Sequence, residues 1–195
     1  TNKRSSFDYS SEFIKNCANN IKKDTLYCFI SQSGETYDTK LALELVKSKG
    51  AMTLSVTNNP NSFIYINSDI KIDSLAGTER AIAATKSFLT SVVCVWMIAV
   101  SFAIKEGKIS LEEEKDFLDE AIKASIETMK SEKEVKLLID EIYDEKGLIL
   151  IGEGFPYIIS REFALKIKET SYINANAYPT GEFIHGHTAL LNRNK

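Results

Sequence analysis

With 195 residues, 44% of them hydrophobic and 26% charged, the chain has the balance of a globular domain able to bury a core, which excludes disorder and fibrous repeats. Its 24 Lys and Arg against 27 Asp and Glu leave a net charge of −3 with the signs interspersed, so the basic surface that general nucleic-acid binding needs is missing. The three cysteines, Cys17, Cys28 and Cys94, are odd in number and lack C-x-x-C spacing; set among apolar or helical residues, they predict reduced core thiols and a cytoplasmic protein. The polar start, Thr-Asn-Lys-Arg-Ser-Ser, has no apolar run behind it, so no secretory signal is expected.

In chain order, residues 25–30 (TLYCFI) and 51–56 (AMTLSV) are short, apolar and β-rich. Between them residues 36–49 place Leu41, Leu43, Leu45 and Val46 at helical spacing, closed by Gly50, which makes a βαβ unit. Asn58-Asn59-Pro60-Asn61 is a turn before a short helix, and residues 69–73 form a third short strand. Residues 87–104 carry no charge and touch the lower length limit of a membrane span. Because serines and a threonine interrupt the run and the surroundings alternate strands and helices, a helix buried all round, in the core or in a subunit contact, is expected instead, with no membrane partner.

Residues 110–145 are highly charged with apolar residues at helical spacing, which predicts amphipathic connecting helices. GLILI at 147–151 restarts a strand, followed by Gly152-Glu153-Gly154 and a helix over 156–172. The expected organisation is therefore a first unit over 1–108, connecting helices over 109–146, and a second unit beginning at 147–195. Strands separated by helices of this length imply parallel sheets with helices on both faces.

Three groups of residues carry chemistry. Ser31-Gln32-Ser33-Gly34-Glu35-Thr36 joins a strand to a helix N-terminus, where free amides, the helix dipole and the hydroxyls of Ser31, Ser33 and Thr36 would hold an anion. No lysine follows the glycine, so it is not a nucleotide P-loop, and the same residues would also serve as a plain capping turn. Glu162, Lys166 and Glu169 fall at i, i+4 and i+7 beside Arg161 and Lys168. That spacing makes either a surface salt-bridge ladder or a carboxylate base next to an ammonium that stabilises charge developing on a carbonyl. The only histidines are His185 and His187, in GEFIHGH. With Glu182 they lack the further ligands of a metal site, and an imidazole acting as acid or base is the better functional reading, against a plain surface histidine.

Together these segments resemble the SIS (sugar isomerase) domain family: SEF at 11–13, SQSGET at 31–36, AGTERAIAATKSF at 76–88 and ALKIKETSYINANAYPTGEFIHG at 164–186 match in order and spacing. Within that family the last stretch leans toward the isomerase half of the glucosamine-fructose-6-phosphate aminotransferases, while ERAIAATKSFL is also similar to stand-alone double-SIS glucosamine-6-phosphate deaminases. The resemblance implies a flavodoxin-like three-layer α/β fold, a parallel sheet flanked by helices, in two related units that are both incomplete in this chain. It implies a hexose 6-phosphate substrate, fructose 6-phosphate or glucosamine 6-phosphate, interconverted between aldose and ketose without cofactor or metal, in a homodimer or larger homo-oligomer.

By resemblance Ser31, Gln32, Ser33 and Thr36 hold the phosphate, and a helix start around Ile82, Ala84 and Thr85 borders the sugar. Glu169 moves the proton between C1 and C2 with Lys166 and Glu162 nearby, and His185 opens the sugar ring. The sequence departs from the family at Ala84, where serine is common, and at His187, where the aminotransferases usually carry proline. The first strand and its glycine-threonine-serine loop, and a catalytic lysine near the C-terminus, have no counterpart here, so glutamine-dependent nitrogen transfer is not expected of these residues alone. A non-catalytic SIS module that senses a sugar phosphate would need the serine loop but not the pair Glu169 and His185.

Overall fold

The structure is a computed structural model that describes residues 3–193, and it divides into two compact units. One comprises the residues up to Arg80 with Thr85–Asp119, and the other Ala81–Ala84 with the residues from Glu120 on.

The first unit is built on three parallel strands in the order β1 (Leu26–Ser31), β2 (Met52–Thr57), β3 (Ile70–Asp73). Helix α1 (Ser10–Cys17) precedes them, α2 (Tyr37–Ser48) crosses from β1 to β2, and the short α3 (Phe63–Asn67) crosses from β2 to β3. The parallel register aligns Phe29 with Ser55 and Ser55 with Lys71. Thr53 to Thr57 are all buried, and because side chains alternate along a strand, such burial requires cover on both faces of β2. Helices α2, α3 and α4 (Lys86–Lys105) all pack against this strand.

The core of the unit joins Phe29, Ala42, Leu43, Val46, Ala51 and Ile64, with Phe13, Ile14, Ile21, Tyr27 and Phe63 packed around it. Leu43 and Val46 are fully buried and each contributes about 2 kcal/mol by leaving water. Ala42, Leu43 and Val46 recur at the spacing that one buried helix face demands.

Two expectations are corrected here. None of the three cysteines is a core residue: Cys17 and Cys94 are half-buried and Cys28 is exposed. Cys28 and Ile30 alternate with buried Phe29 and Ser31 on β1, a strand at the edge of the sheet, so they take the less covered face. Nor is α4 buried in the core of this chain: only Ser87 is buried, while Leu89, Val93, Trp96, Met97 and Phe102 are exposed, which leaves the subunit contact of the two expected settings. The helix touches β2, and Trp96 stacks on Phe117 and donates to Glu114 of α5 (Leu111–Thr128). Those neighbours cover only part of its circumference. With a mean hydropathy of 2.2, α4 is by length and composition long and apolar enough to cross a membrane.

Helix α5 opens with a reciprocal cap, in which the Ser110 amide donates to the Glu113 carboxylate at 2.7 Å and the Glu113 amide to the Ser110 hydroxyl at 3.1 Å. After α6 (Glu132–Ile142), the second unit pairs β4 (Gly147–Gly152) in parallel with β5 (Asn174–Pro179), joined by α7 (Phe155–Ser171). A short helix α8 (Thr180–Ile184) and a 3-10 turn from His187 follow. Gly152 allows the tight entry into α7, since a Cβ there would meet the backbone of Tyr157 and Pro156 at 2.7 to 2.8 Å.

Asp69 ties the start of β3 to the start of β2. Its carboxylate accepts from the Thr53 hydroxyl at 2.6 Å and the Thr53 amide at 2.9 Å, bonds that, with the Lys47 ammonium nearby, hold its pKa below the ordinary 3.8. A lowered native pKa means stability that is present above the unfolded value and lost as pH falls through the native one. Asp69→Asn is therefore expected to destabilise the protein near neutrality, with the gap from wild type narrowing as pH drops below 3.8. Urea unfolding between about pH 7 and about pH 3 checks this.

Candidate functional site

The first cluster is the turn between β1 and α2. The Ser31 hydroxyl, at the end of β1, lies 3.0 Å from the Thr36 hydroxyl and accepts from the Gly34 amide at 3.1 Å. The Ser33 hydroxyl accepts from the Glu35 amide at 3.2 Å. Two amides expected to point outward are thus turned onto the loop's own serines, a local competition for which serine is well suited. Thr36 is the N-cap of α2 but forms no side-chain cap, so the helix start keeps its positive end without a capping oxygen. Gln32, Glu35 and Thr36 are exposed, Ser33 is half-buried and Ser31 is buried.

The turn is held from outside by the segment that follows β2. The Asn58 amide donates to the Gln32 carbonyl at 3.0 Å, the Ile64 amide to the Gly34 carbonyl at 3.1 Å, and the Phe63 amide to the Glu35 carboxylate at 2.7 Å. Lys40 pairs with the same carboxylate and holds it, together with the Phe63 amide, below its usual range. Gly34 sits at φ 65°, and a Cβ there would lie 2.0 Å from the Ser62 hydroxyl oxygen and 2.5 Å from its Cβ. Both the conformation and the space demand glycine.

The helix start expected around Ile82 to Thr85 comes later, because α4 begins at Lys86 with Thr85 as its N-cap. Its first turn is tied back to the preceding loop by the Ser87 amide on the Glu79 carboxylate at 3.2 Å and by the Lys86 ammonium on the Thr78 carbonyl at 2.6 Å. Ile82 is 96% exposed, Thr85 is exposed and Ala84 is half-buried.

The second cluster lies on α7. The Lys166 ammonium sits between two carboxylates, 2.8 Å from Glu169 and 3.4 Å from Glu162. The lysine side chain is 18% exposed, Glu162 25% and Glu169 33%, so the group is sheltered yet open to solvent at its glutamates. Burial alone would lower the lysine pKa; the hydrogen bond it donates to Glu169 and the charges of both glutamates outweigh it and raise it above 10.5. Lys166 is consequently a fixed cation near neutral pH.

His185, the C-cap of α8, is exposed and makes no hydrogen bond or ion pair among the described residues. His187 is held by aromatic rings, with centroids 4.2 Å from Tyr178 and 6.4 Å from Phe183. Ring packing there supplies a restraint on the loop after His185 that a proline would otherwise provide through its backbone. No group of three or more His, Cys, Asp or Glu side chains able to hold a metal occurs among the described residues.

The structure thus brings Glu162, Lys166 and Glu169 into contact on one helix and gathers Ser31, Gln32, Ser33 and Thr36 in one turn. Sequence reasoning missed Lys40, Phe63 and Ser62 as supports of that turn. Their partners lie five or 28 positions away, and no local spacing marks them.

The SIS domain family model matches residues 1–101 and 141–195. The chain is similar to the glutamine--fructose-6-phosphate aminotransferase [isomerizing] of Clostridium tetani, 37% identical over 188 residues, which is 94% of this chain and 31% of that protein. It is also 39% identical over 170 residues to the protein so named in Campylobacter jejuni, 87% of this chain and 28% of the relative. The chain thus spans about a third of the length of these curated relatives. Among solved structures, the C-terminal domain of glucosamine-fructose-6-phosphate aminotransferase from Francisella tularensis superposes with a TM-score of 0.86 at 34% identity, covering 97% of this chain and 54% of that one.

The close approach of Gly34 to Ser62 makes a direct forecast. Gly34→Ala should lower stability by about 2 kcal/mol through strain and overlap. Adding Ser62→Gly should recover part of that loss by removing the overlapping atoms, leaving the backbone strain, and a double-mutant cycle from chemical denaturation measures the coupling.

Proposed function

Because this chain belongs to the SIS domain family, we propose that it is the sugar-phosphate-handling part of an enzyme that interconverts aldose and ketose hexose 6-phosphates within an isomerising aminotransferase. The observation that carries the reading is the ammonium of Lys166 held between the carboxylates of Glu162 and Glu169, with Glu169 still open to solvent. A salt-bridge ladder on an outer helix face would be fully hydrated; this one is sheltered around a permanent cation.

The chemistry follows from those groups. A proton at C2 of an open-chain aldose becomes removable when the neighbouring carbonyl oxygen can take up negative charge. Glu169 takes that proton, the fixed charge of Lys166 stabilises the cis-enediolate, the O2 hydroxyl proton passes to O1, and return of the first proton from Glu169 to C1 gives the ketose. The reverse direction uses the same groups. Ring opening requires a separate proton transfer at the ring oxygen, and it is assigned to the exposed imidazole of His185, a side chain able both to give and to take a proton.

Ser31, Gln32, Ser33 and Thr36 hold the phosphate of fructose 6-phosphate or glucosamine 6-phosphate, supported by the uncapped N-terminus of α2 and the hydroxyls beside it. Ile82, Ala84 and Thr85 border the sugar. The whole protein works in the cytoplasm as a homodimer or larger homo-oligomer, in which the exposed apolar side of α4 is covered by a subunit contact.

Two outcomes are expected of the full-length enzyme. Glu169→Gln should abolish exchange of the C2 proton with solvent while leaving sugar-phosphate affinity near wild type, as read by deuterium incorporation in NMR. The double variant Ser33→Ala, Thr36→Ala should weaken fructose 6-phosphate binding about tenfold or more in calorimetry. Wild-type exchange in the first variant, or unchanged affinity in the second, would remove the corresponding assignment.

A further inference from the structure

Glu35 presents a problem for a turn that binds an anion. A carboxylate within the turn would oppose an incoming dianion unless its charge is compensated and its position fixed. The structure supplies both. One carboxylate oxygen of Glu35 accepts from the Phe63 amide at 2.7 Å, and the other pairs with the Lys40 ammonium. The same ammonium lies 5.3 Å above the centre of the Phe63 ring, so Glu35, Lys40 and Phe63 close a three-membered contact.

This contact bears on the turn through the backbone. The Glu35 amide donates to the Ser33 hydroxyl, and the Gly34 carbonyl accepts from the Ile64 amide, next in line to Phe63. Gln32 is held in the same way by the Asn58 amide. Three of the turn's residues are thus tied to the segment 58–64, and Glu35 is the one tied by its side chain.

The geometry points to Glu35 as a positioning residue of the anion turn: with Lys40 and Phe63 it sets the backbone and hydroxyls of Ser33 and Thr36 for a phosphoryl group without touching that group. This rests on the reading of the turn as a sugar-phosphate site, and it adds a residue to which neither the motif's hydroxyls nor the proton-transfer chemistry assigns a role. The Glu35 carboxylate is an anchor, and its charge is spent on Lys40.

The test uses full-length protein, with fructose 6-phosphate titrated by calorimetry and turnover followed in parallel. Glu35→Ala is expected to weaken fructose 6-phosphate binding about tenfold and to raise KM far more than it lowers kcat. Glu35→Gln keeps an acceptor for the Phe63 amide and should recover most of the affinity. Lys40→Met leaves the carboxylate uncompensated and should weaken binding as well, and it reads out the proposal even where Glu35→Ala fails to fold. A support needed only for stability would lower the melting temperature in these variants and leave the dissociation constant where it was.

Unchanged or tighter binding in folded Glu35→Ala, or in Lys40→Met, overturns the positioning role. The underlying reading fails separately: if the double variant Ser33→Ala, Thr36→Ala binds fructose 6-phosphate as wild type does, the turn is not the phosphate site. If that double variant loses binding and Glu35→Ala keeps it, the phosphate site stands and only the role of Glu35 falls.

Discussion

The hydrogen bond from the Ile64 amide to the Gly34 carbonyl joins two pieces of chain that neither could hold alone. Helix α3 has five residues, too few to persist in water by its own hydrogen bonds. Its first amides need acceptors, and they find them in the Glu35 carboxylate, the Gly34 carbonyl and the Ser62 hydroxyl. The turn after β1, for its part, places Gly34 at a positive φ against Ser62 and would have many alternatives if it were free. Each supplies what the other lacks, and the buried Ile64 side chain adds its packing with Phe29 and Leu43 to the same junction.

In the second unit the organising contact is electrostatic. A lysine between two glutamates on a helix face contributes little to stability when water reaches all three groups. Its value is in fixing where charge lies: the two facing carboxylates raise the pKa of the ammonium, which keeps its proton near neutral pH. The contrast with the first unit is one of means, since amides and hydroxyls around a glycine offer partial charges and shape, whereas α7 offers full charges at set distances.

The βαβ unit was legible in the sequence because its signals are local: apolar β-rich runs, helical spacing of Leu43 and Val46, and Gly50 at the helix end. Strand β5 was not, since Asn-Ala-Asn-Ala-Tyr-Pro has little β preference of its own and becomes a strand through pairing with β4 and burial of Ala175 under α7. The all-round apolar composition of α4 predicts burial but does not say what buries it, and within this chain little does. At the turn, Ser31 to Thr36 were readable as a motif; the roles of Lys40, Phe63 and Ser62 depend on tertiary contact and leave no periodic trace. The stripe Glu162, Lys166, Glu169 could be read as a shared face from spacing alone, but its sheltering could not.

Every contact found to shape the turn after β1 comes from residues 31–64, a single continuous stretch made of neighbouring elements. Contacts of such short sequence separation close cheaply and early in folding. A growing polypeptide has all the parts of this turn once residue 64 has emerged, about a hundred residues before Glu169 is added. The turn after β1 can therefore take shape before the helix that carries Glu162, Lys166 and Glu169 has been made.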